Sequence, residues 1–244
     1  MKRNAQATVR RTLRRASTWR PKSAGKVTLN ISRLISPLRY DVQVRVGFFD
    51  LLAEREGRLS EARLHSLAWD SPYGEWFRAV AMPRFRPWVL HDPAVARETF
   101  QERVRSAQAL RVSFLKSGFD HRTPVTLRST RSEVLTESGI FVNRRLHVGD
   151  GGHRLALLLH SGQHLSPQMY RIDSRGVPPI DNTAVLLHRL QIRRADYVRF
   201  LGHGYSDSLC TDLDQLREVA MREQPDLVRE LESVIAVHIP LTGE

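Results

Sequence analysis

The sequence predicts an α/β to α+β fold, and three observations carry that expectation. Phe100, Val104, Ala107, Leu110, Phe114 and Leu115 recur near a 3.6-residue period, the mark of an amphipathic helix. Short runs bounded by proline or glycine, such as PVTLR at 124–128 and 168–172, read as strands. A glycine cluster, Gly149-Asp150-Gly151-Gly152, then joins one such strand to an apolar helical segment at 155–160.

Composition narrows the possibilities further. The chain has 244 residues, 41% hydrophobic and 26% charged, which is ordinary for a globular protein. Its longest uninterrupted apolar run, 155–159, is five residues, whereas a membrane-spanning helix needs roughly 20. No transmembrane segment is expected, and a cytoplasmic location follows as the simplest reading. One cysteine, Cys210, excludes both an internal disulfide and a cysteine-based zinc finger. Net charge is +12, but residues 1–26 hold nine basic side chains and no acid, leaving only +3 for residues 27–244. Three readings of that arm compete: a solvated tail, a basic segment for nucleic acid or anionic headgroups, and a transit peptide.

Taken in order, 27–31 and 40–49 alternate as strands do, with Val42, Val44 and Val46 separated by Gln43 and Arg45. Ser60 is placed to cap a short helix over 61–67. Residues 69–88 concentrate Trp69, Tyr73, Trp76, Phe77, Phe85 and Trp88 around three prolines, with Arg78, Arg84 and Arg86 interleaved. Such a segment either covers a sheet face or stacks the rings of a ligand. The helix over 100–115 ends at Gly118. After the 124–128 strand, 139–142 and 145–148 read as two strands around an Asn143-Arg144 turn, and Gly162 stops the helix at 155–160. Residues 173–184 read as a linker, followed by helices over 183–201, 212–222 and 226–233. Residues 202–208 read as a flexible loop, and Asp181 as a helix cap.

The chemistry concentrates in the strand, GDGGHR, helix sequence. Glycines at 149, 151 and 152 allow a sharp turn and close approach of a ligand to backbone. The helix that follows offers unpaired N–H groups and the positive end of its dipole, and Arg154 adds a fork of donors. Together they make an anion site, most naturally for phosphate; the other reading is a turn serving topology alone. Asp150 either holds Mg²⁺ or a proton, or caps the turn. His153 either donates to phosphate or acts as acid/base, or is a half-buried helix residue. A zinc site at His147, His160 and His164 is disfavoured, because Gly162 breaks the helix that would align the last two.

Pro124, Val125 and Leu127, followed by Asp150, Gly151, His153 and Arg154, resemble the ParB/sulfiredoxin-like superfamily over about residues 91–172. There a PI-x-V strand precedes a D-G-x-H-R turn heading a helix. The resemblance implies a core at 91–172, with a strand and aromatic extension at 27–90 and a helical appendage at 173–244. It implies that Gly151, Gly152, His153 and Arg154 hold a nucleotide triphosphate, ATP or CTP, with Mg²⁺ at Asp150. Catalytic roles would fall to Asp150, His153 and an upstream acid: Asp92, Glu98 or Glu102, of which Glu102 is carried forward. Sulfiredoxins have cysteine immediately before the His-Arg pair, where this sequence has Gly152, so sulfinic acid reduction is not implied. The expected function is nucleotide binding with phosphotransfer to, or hydrolysis near, a small hydroxyl-bearing substrate. The alternative is a DNA-associated or regulatory module using residues 1–26.

Overall fold

The most apolar helix among the described residues packs chiefly against the long helix Tyr40–Arg55, with Ile31–Ile35, Pro93–Ser117 and the strand Val125–Ser129 also touching it. In the computed structural model, which describes residues 27–55, 57–173 and 178–241, Leu155, Ala156, Leu157 and Leu158 of the helix Gly152–His160 are all essentially inaccessible to solvent. A helix apolar on every face needs cover on every face. The class is α+β, with helices predominating over two small sheets. The basic arm at 1–26 and positions 174–177 of the expected linker lie outside the described residues.

Helix α1 (Ile31–Ile35) leads into α2 (Tyr40–Arg55), which lies against the central helix. Leu29 forms only a single bridge to Leu165. The strand expected over 40–49 is therefore a helix. Its buried residues, Asp41, Val42, Val44, Arg45, Phe48, Phe49 and Leu52, follow the helical repeat once the two charged members are counted. Helix α3 (Glu61–Trp69) is capped by Ser60, whose Oγ accepts from Arg63 N at 3.4 Å.

The aromatic stretch is helical and covers helices, not a sheet face. It comprises α4 (Pro72–Trp76), a π-helical turn (Phe77–Ala81), α5 (Met82–Phe85) and a 3₁₀ turn (Pro87–His91). Tyr73 stacks on Phe48 with centroids 4.0 Å apart, and Phe77 meets Phe100 edge-on at 5.1 Å.

Helix α6 (Pro93–Ser117) contains the expected 100–115 stripe and ends at Gly118, φ +71°. Strands β1 (Val125–Ser129), β4 (Leu146–Asp150) and β5 (Tyr170–Asp173) form a sheet ordered β4-β1-β5, antiparallel on one side of β1 and parallel on the other. The expected hairpin around Asn143-Arg144 does not form. Strand β3 (Phe141–Val142) pairs instead with β2 (Val134–Leu135). The reason is that Asn143 is claimed from outside: its N–H donates to Glu230 at 2.6 Å and its Nδ2 to Asp226 O at 2.8 Å.

The central helix becomes α7 (Gly152–His160) in chain order. Beyond β5, the helix expected at 183–201 is two, α8 (Asn182–Arg189) and α9 (Arg194–Tyr205). The break lets Leu190 and Ile192 both lie against the core, which a continuous helix would point in different directions. Helix α9 runs through Tyr205 and takes in half of the loop expected at 202–208. Helices α10 (Leu213–Glu223) and α11 (Val228–His238) complete the order. One buried apolar cluster extends from Ile31 to Ile235, so the segments on either side of 91–172 share its core. No helix among the described residues is long and apolar enough to cross a membrane.

Candidate functional site

Strand β4 ends at Asp150 and α7 begins at Gly152, so the glycine turn sits where the sequence places it. Gly151 is the hinge. Its φ of +94° is left-handed, and a Cβ there would lie 3.1 Å from Val125 Cγ2. Gly152 is needed for a different reason: a Cβ would come within 3.0 Å of the Arg45 guanidinium. Gly149 stands likewise against the Arg128 side chain at 3.0 Å. The turn is thus stripped of side chains because arginines occupy the space.

No side chain caps the start of α7. Asp150 Oδ1 accepts only from Gly151 N, at 2.7 Å, and its carboxylate is 79% exposed. Arg154 reaches back to within 3.8 Å of Asp150 and bonds the carbonyls of Thr123 and Pro124. Across the sheet, Thr126 is the register partner of both Asp150 and Arg171, and Arg171 Nε donates to Thr126 Oγ1 at 3.1 Å. Arg39, Arg45, Arg128, Arg154 and Arg171 therefore surround one short turn.

Beneath it lies a buried charge network contributed by α2 and the residue preceding it. Asp41, fully inaccessible, accepts from Arg39 Nε at 2.8 Å and from Arg45 Nη1 at 2.5 Å. Burial alone would raise the Asp41 pKa, but the two guanidiniums outweigh it and hold the carboxyl well below its usual range. Arg39 Nη1 also donates to Val148 O at 2.7 Å, tying the network to β4. Arg45 is 6% exposed, its guanidinium carbon sits 4.0 Å over the Trp76 ring, and its Nε has no partner. Two guanidiniums facing one carboxylate leave an uncompensated positive charge close to the uncapped end of α7.

His153 does not face the turn's open side. Its ring lies edge-on to Phe49, Tyr73 and Trp76, with Nε2 hydrogen-bonded to the Tyr73 hydroxyl at 2.8 Å. Burial first, then Arg45 and Arg103, pushes its pKa far below the ordinary histidine value. The ring is neutral at physiological pH and anchors α7, so the expected phosphate-orienting and acid/base role is corrected to one of support. Glu102 is corrected too: it lies exposed on α6 and lines a separate cavity with Met82, Phe85 and Arg86. Asp92 caps α6, accepting from Ala94 N at 2.8 Å. Of the expected site residues, Asp150, Gly151, Gly152 and Arg154 stand together.

No local pattern in the sequence singles out Arg39, Asp41, Arg45, Arg128 or Arg171 as site residues. Asp41 and Arg45 are four apart, a helical ion-pair spacing, but that signal has meaning only once 40–55 is read as a helix. Among the described residues no group of three or more histidine, cysteine or acidic side chains could hold a metal. Asp150 provides one exposed carboxylate beside the turn, compatible with Mg²⁺ brought in on phosphates but not with a protein-built metal cage.

Fold and site together define an α+β protein with a glycine turn set in an arginine-rich surround at the head of its central helix. The chain matches no family model, no curated protein and no solved structure.

Proposed function

We propose that the protein binds a phosphorylated ligand, a nucleoside triphosphate such as ATP or CTP, at the turn Gly149–Arg154. The observation that carries this reading is the buried Arg45, whose guanidinium lies against Gly152 with its Nε unpartnered, beside a helix start that no side chain caps. A phosphate at that position would meet backbone N–H donors, the helix dipole and the surplus positive charge of the network. Arg154, with Arg128 and Arg171 on the sheet side, would complete the neutralisation. Mg²⁺ would arrive with the triphosphate and find Asp150 as its protein ligand.

A ParB/sulfiredoxin-like core over 91–172 belongs to the same reading. It is supported by the order of α6, β1, β4, glycine turn, α7 and β5. Phosphotransfer to, or hydrolysis near, a small hydroxyl-bearing molecule would require Asp150 to take the hydroxyl proton or hold the metal, since His153 is neutral and engaged.

The test is thermal stabilisation of wild type and Arg154→Ala by ATP, CTP and GTP, with and without Mg²⁺. A ligand at 100 times its dissociation constant stabilises by about 2.7 kcal/mol. The reading expects a shift for triphosphates that shrinks in the variant; a folded wild type with no shift for any nucleotide overturns it. For the catalytic part, Asp150→Asn should remove turnover while nucleotide affinity persists, and unchanged turnover would dismiss that role.

A further inference from the structure

The segment Arg84–Trp88 displays two large aromatics to solvent: Phe85 is 68% exposed and Trp88 62%. They are not there through local slackness. Met82 and Val89 are buried on either side, and Pro83 and Pro87 fix the backbone between those anchors. Phe85 borders a cavity of about 310 Å³, at the low end of the roughly 300–1,000 Å³ usual for ligand clefts. Its walls supply Arg86 and Arg103, neither with a carboxylate partner among the described residues, together with Thr99, Glu102 and Ser106.

We propose that this face binds single-stranded nucleic acid, with bases stacked on Phe85 and Trp88 and phosphates held by Arg86 and Arg103. Each part of the surface corresponds to a part of that ligand. Preordered aromatic faces accept unpaired bases whatever their sequence, at little cost in conformational freedom. Two guanidiniums without carboxylate partners match backbone phosphates, Arg103 being held in place by the Trp76 ring, whose centroid lies 5.9 Å from its guanidinium carbon. Glu102 separates this occupant from an anionic membrane surface. A carboxylate repels headgroups, but it accepts a hydrogen bond from an exocyclic amine, so it favours cytosine or adenine over thymine. A duplex hides its base faces and leaves Phe85 and Trp88 nothing to stack on. The surface is distinct from the glycine turn and does not depend on nucleotide binding there.

The experiment is fluorescence anisotropy of the full chain with short oligo-dC, oligo-dA and oligo-dT strands and a matching duplex, between about 50 and 200 mM salt. Single strands should bind more tightly than duplex. Phe85→Ala and Trp88→Ala should each weaken binding by about 5- to 100-fold. Arg86→Ala should reduce the salt slope by slightly less than one. Glu102→Ala should erase a preference for dC and dA over dT. Phe85 and Trp88 are solvent-exposed, so circular dichroism and the nucleotide-induced thermal shift should match wild type in both variants, keeping this surface separable from the turn. The proposal is overturned by no single-strand retention at low salt, by duplex binding as tightly as single strand, or by binding that ignores both aromatic substitutions and so resides elsewhere on the chain. It is equally overturned if the aromatic variants instead lose vesicle association or dissociate a dimer.

Discussion

Two of the buried polar networks among the described residues are built on opposite plans. The one under the glycine turn joins Arg39, Asp41 and Arg45, carries more positive than negative charge, and leaves Arg45 Nε and Trp76 Nε1 without partners. The other joins Tyr197, His238, Asp181 and Ser138. There His238 Nδ1 meets the Tyr197 hydroxyl at 2.7 Å, and its Nε2–H donates to Asp181 Oδ2 at 3.0 Å. Ser138 donates to the same carboxylate at 2.6 Å, while the other oxygen accepts from Thr183 and Ala184 N–H groups. Burial would raise the Asp181 pKa, but the hydrogen bonds and charge of His238, with Ser138 and Ala184, keep it low. Every polar atom of His238 and Asp181 is engaged. A closed network of that kind fixes helices α8, α9 and α11 relative to one another, whereas an open one next to an uncapped helix keeps capacity for something else.

Substitutions should expose the difference. The largest effect is expected from Asp41→Asn, which strands two buried guanidiniums and should cost about 3–5 kcal/mol of unfolding free energy in urea titrations. Added phosphate should recover part of that loss. His238→Phe removes both histidine bonds of the closed network and should cost about 2–4 kcal/mol, with no recovery by phosphate. Equal response of the two variants to phosphate would erase the distinction drawn between the networks.

Acid provides a graded test. Burial, with Arg145 second, lowers the His147 pKa to about 3, and His153 is shifted in the same direction. Both rings are neutral in the folded state, while the unfolded chain protonates them near pH 6.5. Stability is therefore full above that value and falls as pH drops toward the folded pKa, by about 1.4 kcal/mol per pH unit for each histidine. Below pH 4 the depressed Asp41 pKa adds a further loss in the same direction. Urea midpoints measured from pH 7 down to pH 4 would show this slope, and a flat profile would contradict the burial of both rings. Tyr73→Phe, which deletes one bond to His153, should cost only about 1 kcal/mol.

The smallest change lies in neither network. Gly47 is exposed within α2, and a Cβ there meets nothing within 4 Å. Gly47→Ala should stabilise by about 0.5–1 kcal/mol with no change in phosphate response.

The sequence made the glycine turn, α3, α6 and the strand at 125 legible, because each rests on local signals: positive-φ glycines, a serine cap, an apolar stripe, a proline entry. It misrepresented α2 for a physical reason. Two positions on the buried face of that helix, Asp41 and Arg45, are charged, so counting apolar residues alone left Val42, Val44 and Val46 looking like a strand. The same pair anchors the candidate site, so the error that hid the helix also hid the network. Asp150 and Arg154 could be found as near neighbours of the turn, but Arg39, Arg128 and Arg171 reach it only through tertiary structure. His153 looked catalytic beside phosphate-binding glycines; one helical residue's rotation sends it among Phe49, Tyr73 and Trp76 instead.

Helix α11 also sets an order of events during synthesis. Glu230 receives the Asn143 N–H and the Tyr205 hydroxyl and pairs with Arg145, and His238 closes on Asp181. All of those partners leave the ribosome earlier than the helix that satisfies them. Until α11 emerges, the nascent chain holds a carboxylate, a phenol and a turn amide that lack the partners they have in the finished protein. The elements around β3 and α8 therefore wait for residues translated long after them, and completion of this half of the molecule is tied to the last helix described.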